Sequence, residues 1–212
     1  GEQRGMLIAA GDPDKRDEGG WTPLHHAIRS RDTEQVQRLL LLHANPGLAT
    51  PDGLTPLMRA VMTGHRGILE SLLGTGRAAC NATDRRGCTA LHHAATDGDL
   101  SSITLLLKAG SATHIVTSRG FNVLHCAAMF GHADAVSLLM DRTSGQLNVP
   151  SQSGWTALHL AAFRGYPAVV AALVSRTDVD VNERLFDKST ALHIASITRH
   201  VAVPPTFPSR RF

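Results

Sequence analysis

The sequence predicts an all-α protein, a solenoid of stacked helical units, and three observations carry that prediction. Gly154-Trp155-Thr156-Ala157-Leu158-His159-Leu160-Ala161-Ala162-Phe163-Arg164-Gly165 has counterparts of its central six residues at 22–27, 55–60, 89–94, 122–127 and 190–195. The leading residues, 22, 55, 89, 122, 156 and 190, recur every 33 or 34 positions, the signature of a repeat architecture. Behind each copy except the last runs a one-sided apolar stripe that a single unit cannot bury, so neighbouring units must stack.

Each unit opens on Thr22, Thr55, Thr89, Asn122, Thr156 or Thr190, whose side-chain oxygen can cap a helix by accepting an orphan backbone N–H. Pro23 and Pro56 fall at the first helical position, where a missing N–H costs nothing. Leu24, Leu57, Leu91, Leu124, Leu158 and Leu192 are expected to begin the buried face, and the alanine three residues later to let helices approach closely. Gly64, Gly98, Gly131 and Gly165 then end the first helix in a left-handed conformation. Arg31 holds that position in the first unit, which is expected to bend differently. A second helix follows with apolar residues five, eight and nine positions after the break, from Val36, Leu39 and Leu40 to Val170, Leu173 and Val174. The extra residue of the longer intervals falls after this helix, where it lengthens a loop without moving any register.

The last copy departs from the pattern. Lys188 and Arg199 stand where other units carry glycine, and Pro204-Pro205 fall where the second helix would run, so that helix is expected to be absent. Residues 6–14 read as the end of an earlier unit, which predicts that the chain is a piece of a longer array or of a larger protein.

The period and the T-P-L-H-x-A punctuation resemble the ankyrin repeat, in which each unit is a hairpin followed by two helices. The resemblance spans nearly the whole chain. It implies a helix-turn-helix solenoid with hairpin loops over residues 1–203, in units near 17–49, 50–83, 84–116, 117–150 and 151–184 with a partial unit 185–203, then a Pro-rich tail at 204–212. It also implies a structural role for the motif histidines His25, His92, His125, His159 and His193, bridging adjacent hairpin backbones.

Ankyrin arrays meet partners on the concave side, formed by hairpin tips and inner helices. Carried over register by register, the positions before the capping residue are Trp21, Leu54, Cys88, Phe121 and Trp155, with Ser189 in the last copy; those before the helix break include Met129, Phe130, Phe163 and Arg164; those before the hairpin glycine include Arg86 and Arg119. Aromatics flanked by arginine are the composition of binding hot spots. The expected function is therefore non-catalytic protein binding, across units four and five, of a protein or peptide segment with apolar anchors and an acidic flank. The alternative is an array that regulates or targets an enzyme or channel elsewhere in its own chain. The family's asparaginyl-hydroxylation pattern is met best at Asp180-Val181-Asn182, which makes Asn182 the expected modification site.

Composition narrows the other classes. The 212 residues are 42% hydrophobic and 18% charged, with a net charge of +3 spread along the chain rather than clustered. Nucleic-acid binding, which calls for a basic stripe, is disfavoured. Cys80, Cys88 and Cys126 have no C-x-x-C spacing and leave one thiol over in any pairing, which favours a reduced compartment, cytoplasmic or nuclear. No apolar run approaches membrane-spanning length. Histidines one repeat apart would lie in successive layers and not converge on zinc, and Cys126 beside His125 lacks an orienting third group, so no metal site, cofactor or catalytic residue is expected. The tail string Pro205-Thr206-Phe207-Pro208-Ser209-Arg210 matches a P-x-x-P-x-R ligand pattern of a kind that recurs by chance.

Overall fold

A computed structural model describes residues 12–143 and 145–198. The readings for residues 6–11, for the last unit's second helix and for the Pro-rich tail lie outside the described residues. Eleven helices follow in chain order among those residues: α1 (Pro23–Arg29), α2 (Thr33–Leu41), α3 (Pro56–Met62), α4 (Arg66–Gly74), α5 (Ala90–Asp97), α6 (Leu100–Lys108), α7 (Val123–Met129), α8 (Ala133–Met140), α9 (Ala157–Arg164), α10 (Pro167–Val174) and α11 (Ala191–Thr198). Odd-numbered helices pack on odd-numbered neighbours and even on even, while each odd helix up to α9 also packs on the even helix that follows it. The result is a two-layer solenoid whose units touch chiefly their neighbours.

The caps fall where the sequence puts them. Thr55, Asn122 and Thr156 accept from the backbone N–H three residues on, at 3.2, 3.1 and 3.4 Å. The first helix of every complete unit then ends on one device: the N–H five residues after the motif alanine reaches back to that alanine's carbonyl, as from Asp32 to Ala27 and from Asp99 to Ala94, at 3.0 and 3.1 Å. Arg31 adopts this turn despite its Cβ, with φ 57°, beside 67° at Gly98. The first unit therefore does not bend differently; the same bond pattern forces a non-glycine residue into the left-handed region.

In the core, Leu24, Leu57, Leu91 and Leu124 are fully buried and Leu158 nearly so. Leu192 contradicts its expected place on the buried face, being 78% exposed. A motif leucine is covered by the unit that follows it, and none follows among the described residues. The outer helices bury the stripe read from the sequence, with Val36, Leu39, Ile103, Leu106, Val136 and Leu139 at 2% exposure or less. Val174, at the open flank, is 47% exposed.

Candidate functional site

The edge that carries the expected partner face is built from hairpins stacked one on the next. In each, the residue four before the cap position's neighbour closes the turn: the Asp84 N–H donates to the Cys88 carbonyl at 2.9 Å, and the Ser151 N–H to that of Trp155 at 2.8 Å. Successive hairpins then bond backbone to backbone, Arg85 to Asp52, Ser118 to Arg86 and Gln152 to Arg119, at 3.1, 2.8 and 3.0 Å. Such contact explains the hairpin glycine. At Gly87, with φ +77°, a Cβ would come within 2.9 Å of the Ser118 nitrogen. Lys188 can hold the same left-handed turn because no further hairpin stacks on it among the described residues.

The motif histidines tie this edge to the helices, as the resemblance implied. In His25, His92, His125 and His159, Nδ1 accepts the N–H of the unit's own capping residue at 3.2–3.3 Å. Nε2 therefore carries the proton and donates to the next hairpin, to the carbonyls of Leu54, Phe121, Trp155 and Glu183 at 2.9–3.2 Å. Burial outweighs that bond in its effect on protonation, lowering His25, His92 and His125 to about 4 and His159 below its usual value.

The expected partner residues divide by burial. Arg86, Arg119, Phe130 and Arg164 are exposed, whereas Trp21, Leu54, Phe121, Trp155 and Phe163 are half-buried, the last four against the core. Met129 contradicts its expected place on the open face. It is 7% exposed, so its side chain belongs to the interior of unit four. Trp21 lies beneath two guanidinium groups, Arg59 at 4.5 Å and Arg29 at 5.6 Å from the ring centroid. Phe121 stacks on His125 at 5.5 Å, and Trp155 meets Phe163 edge-on at 5.3 Å.

A groove of about 460 Å³ opens beside that last pair, between unit five and the last unit. Trp155 and Phe163 line it with Leu185, Phe186, Ile194 and Ile197, and its rim carries Ser153, Asp187, Ser189 and Thr198. Phe186 and Ile197 are 84% and 77% exposed. Sequence reasoning missed both. Phe186 nonetheless sits two positions before Lys188, the register held by Arg85, Ser118 and Gln152 before their own hairpin glycines, so the signal was present and was obscured by the irregular last unit. Asn182 is exposed at the entrance to the last hairpin, its N–H held by Asp180 at 2.8 Å.

One cluster was not expected. Asp84, Cys88 and His93 bring a carboxylate oxygen, a thiol and a ring nitrogen within 4.8 Å of one another. Their D-x3-C-x4-H spacing matches no pattern by which such a set is ordinarily read from sequence.

No helix among the described residues is long and apolar enough to cross a membrane. The family model for ankyrin repeats (3 copies) matches residues 5–84, 30–114, 67–145, 91–184 and 143–203 in overlapping registers. Similar proteins include a neurogenic locus notch homolog protein 1 from Cricetulus griseus, 37% identical over 108 residues, which are 50% of this chain and 4% of that protein. The human transient receptor potential cation channel subfamily A member 1 is 32% identical over 127 residues, 59% of this chain and 11% of that protein. Human Rabankyrin-5 is 32% identical over 133 residues, 62% of this chain and 11% of that protein. The chain thus spans only a small part of each of these relatives. Arrays of this kind are in general protein-interaction modules rather than enzymes. By its repeats, its stacking and this match along its length, the chain belongs to the ankyrin-repeat family.

Proposed function

We propose that this array binds a slim, extended or helical segment of another protein on its hairpin and inner-helix face, with apolar side chains entering the groove beside Trp155 and Phe163. The observation that carries the reading is the groove itself. It is walled by aromatic and aliphatic side chains, two of which, Phe186 and Ile197, stand mostly in water. Exposed apolar surface of that kind, rimmed by polar groups, is what an interaction site presents.

The segment carries an acidic flank. Arg119 and Arg164 are exposed on the same face, and farther along Arg59 lies over Trp21 with Arg29 close enough to hold its pKa down after burial has done so. An anionic side chain would relieve that repulsion. Charges of this sort set approach and orientation more than final affinity. Arg85 pairs with Asp52 and Arg176 with Asp141 at 3.1 and 3.0 Å, which argues against a continuous basic track for nucleic acid. The odd cysteine count supports a reducing setting, cytoplasm or nucleus.

The test is selection of peptides from a display library on the array, followed by affinity measurement on variants. Selected peptides should share apolar anchors beside acidic residues, and Phe186→Ala or Ile197→Ala should weaken them by about thirtyfold, the ~2 kcal/mol of an anchoring contact. Both positions are exposed, so folding should be retained. Peptides that bind the wild type and both variants equally would show that the face is wrong.

A second reading, an array acting on the rest of its own longer chain, is supported by relatives of which the match covers only a small part, a cation-channel subunit among them. In that case the selected peptides would match a segment of the same polypeptide.

A further inference from the structure

The geometry points to a metal site for a borderline transition ion, Zn2+ above all, held by Asp84, Cys88 and His93 in unit three. Asp84 opens the hairpin, Cys88 precedes the capping Thr89, and His93 lies on α5, so all three donors sit on a short, braced stretch of chain. Their ligand atoms lie within 4.8 Å of one another. A tetrahedral zinc with bonds of about 2.0–2.3 Å needs donors about 3.5 Å apart, so a movement of about 1 Å closes the set. His93 Nε2 is already 3.2 Å from Asp84 Oδ2.

The carboxylate is prepared for such a role. The Asp84 side chain is 3% exposed, and its Oδ1 accepts the backbone N–H groups of Arg86 and Cys88 at 2.8 and 2.9 Å, which fixes its orientation and leaves Oδ2 turned toward His93. Outer bonds of this kind aim a ligand at its metal. Arg86 Nε, 3.9 Å from Oδ2, is the cation an incoming ion would displace, and its side chain is 48% exposed and able to swing into water. One thiolate, one imidazole and one carboxylate suit zinc or cobalt better than calcium or magnesium, which take oxygen. Binding replaces the thiol proton of Cys88 by the metal and releases that proton to solvent, with no change of oxidation state. Three protein donors leave a fourth position for water.

The other units show what the scaffold alone requires at these registers. Unit one has Asp17, Trp21 and His26, with His26 Nε2 2.7 Å from Asp17, so an aspartate–histidine pair needs no ion. Units two, four and five have Thr50, Leu54 and Arg59; Thr117, Phe121 and Cys126; and Ser151, Trp155 and Leu160. Only unit three among these adds a thiol to the pair. The sibling units also supply test substitutions that the fold already accepts, Cys88→Leu and His93→Leu.

The experiment is titration of the reduced, chelator-stripped array with Co2+, followed by displacement with Zn2+. One equivalent of Co2+ should give a sulfur-to-cobalt charge-transfer band in the near ultraviolet and visible d–d bands of tetrahedral intensity, and Zn2+ should abolish both. Cys88→Leu should remove the charge-transfer band, and His93→Leu should weaken Co2+ binding at least tenfold, each with the helical circular dichroism of the wild type. On the unmodified protein, Zn2+ should shield Cys88 from alkylation relative to Cys80, which provides a readout independent of any variant. Absence of the band at one equivalent, a band unchanged in Cys88→Leu, or Cys88 alkylated equally with and without Zn2+ would overturn the site.

Discussion

Acid should unfold this array through its histidine ladder. His25, His92 and His125 are held neutral by burial, with pKa values of about 4, against about 6.5 in an unfolded chain. The sign follows from proton counting. Between pH 6.5 and 4 the unfolded chain takes up protons that the folded one refuses, so stability is whole above 6.5 and falls as the pH drops through this window. At pH 5 the shift from about 6.5 to about 4 corresponds to roughly 2 kcal/mol per histidine. Three such sites together reach roughly 6 kcal/mol, comparable to the whole stability of many domains. His159 acts in the same direction. Asp97, raised by burial, acts in the other. Asp17, Asp178 and Asp187, all lowered, titrate below the window.

Unit two supplies the control, because Met58 fills the histidine position there and is fully buried. Urea unfolding of the wild type and of His92→Met at pH 7.5, 6 and 5 measures the effect. The variant should start lower, having lost the bonds to Thr89 and Phe121, yet lose about 2 kcal/mol less than the wild type between pH 7.5 and 5. Wild-type stability that is flat over this range, or equal slopes in the two proteins, would refute the argument that buried imidazoles must stay neutral for the units to stack.

Leu158→Ala should cost about 2–5 kcal/mol, while Leu192→Ala, at a position 78% exposed, should change the urea midpoint hardly at all. Arg31→Gly should raise stability by about 0.5–1 kcal/mol, since φ 57° strains a side chain but not a glycine; a loss in thermal melts would mean that Arg31 makes compensating contacts. Asn182 should be the residue found carrying an added oxygen in cell-expressed protein, because Asn81 and Asn148 at the same register use their side chains to hold the next loop, at 2.8 and 2.7 Å; tandem mass spectra placing the oxygen on either of those would contradict this.

The scaffold was legible because each repeat asks the same question of the same position. Capping oxygens and motif alanines can be compared six times over, outer stripes five times and break glycines four, so a local rule becomes an architectural one. Burial at the array's edge was not legible in that way. Leu158 and Leu192 share a motif, yet one is 5% and the other 78% exposed, because the covering surface belongs to a neighbour and not to the unit. The same limit moved Met129 into the core and left Phe186 unnoticed: side chains before a break or a hairpin glycine can turn inward or outward with equal backbone geometry, and the direction is set by what the adjoining unit offers. The functional proposals for this protein rest on those departures. Where most units keep threonine or histidine, the fold favours it, and where Cys88 joins Asp84 and His93, or Phe186 and Ile197 stand in water beside Trp155, the repeat pattern gives no reason. A residue is informative here in proportion to its failure to match its counterparts 33 or 34 positions away.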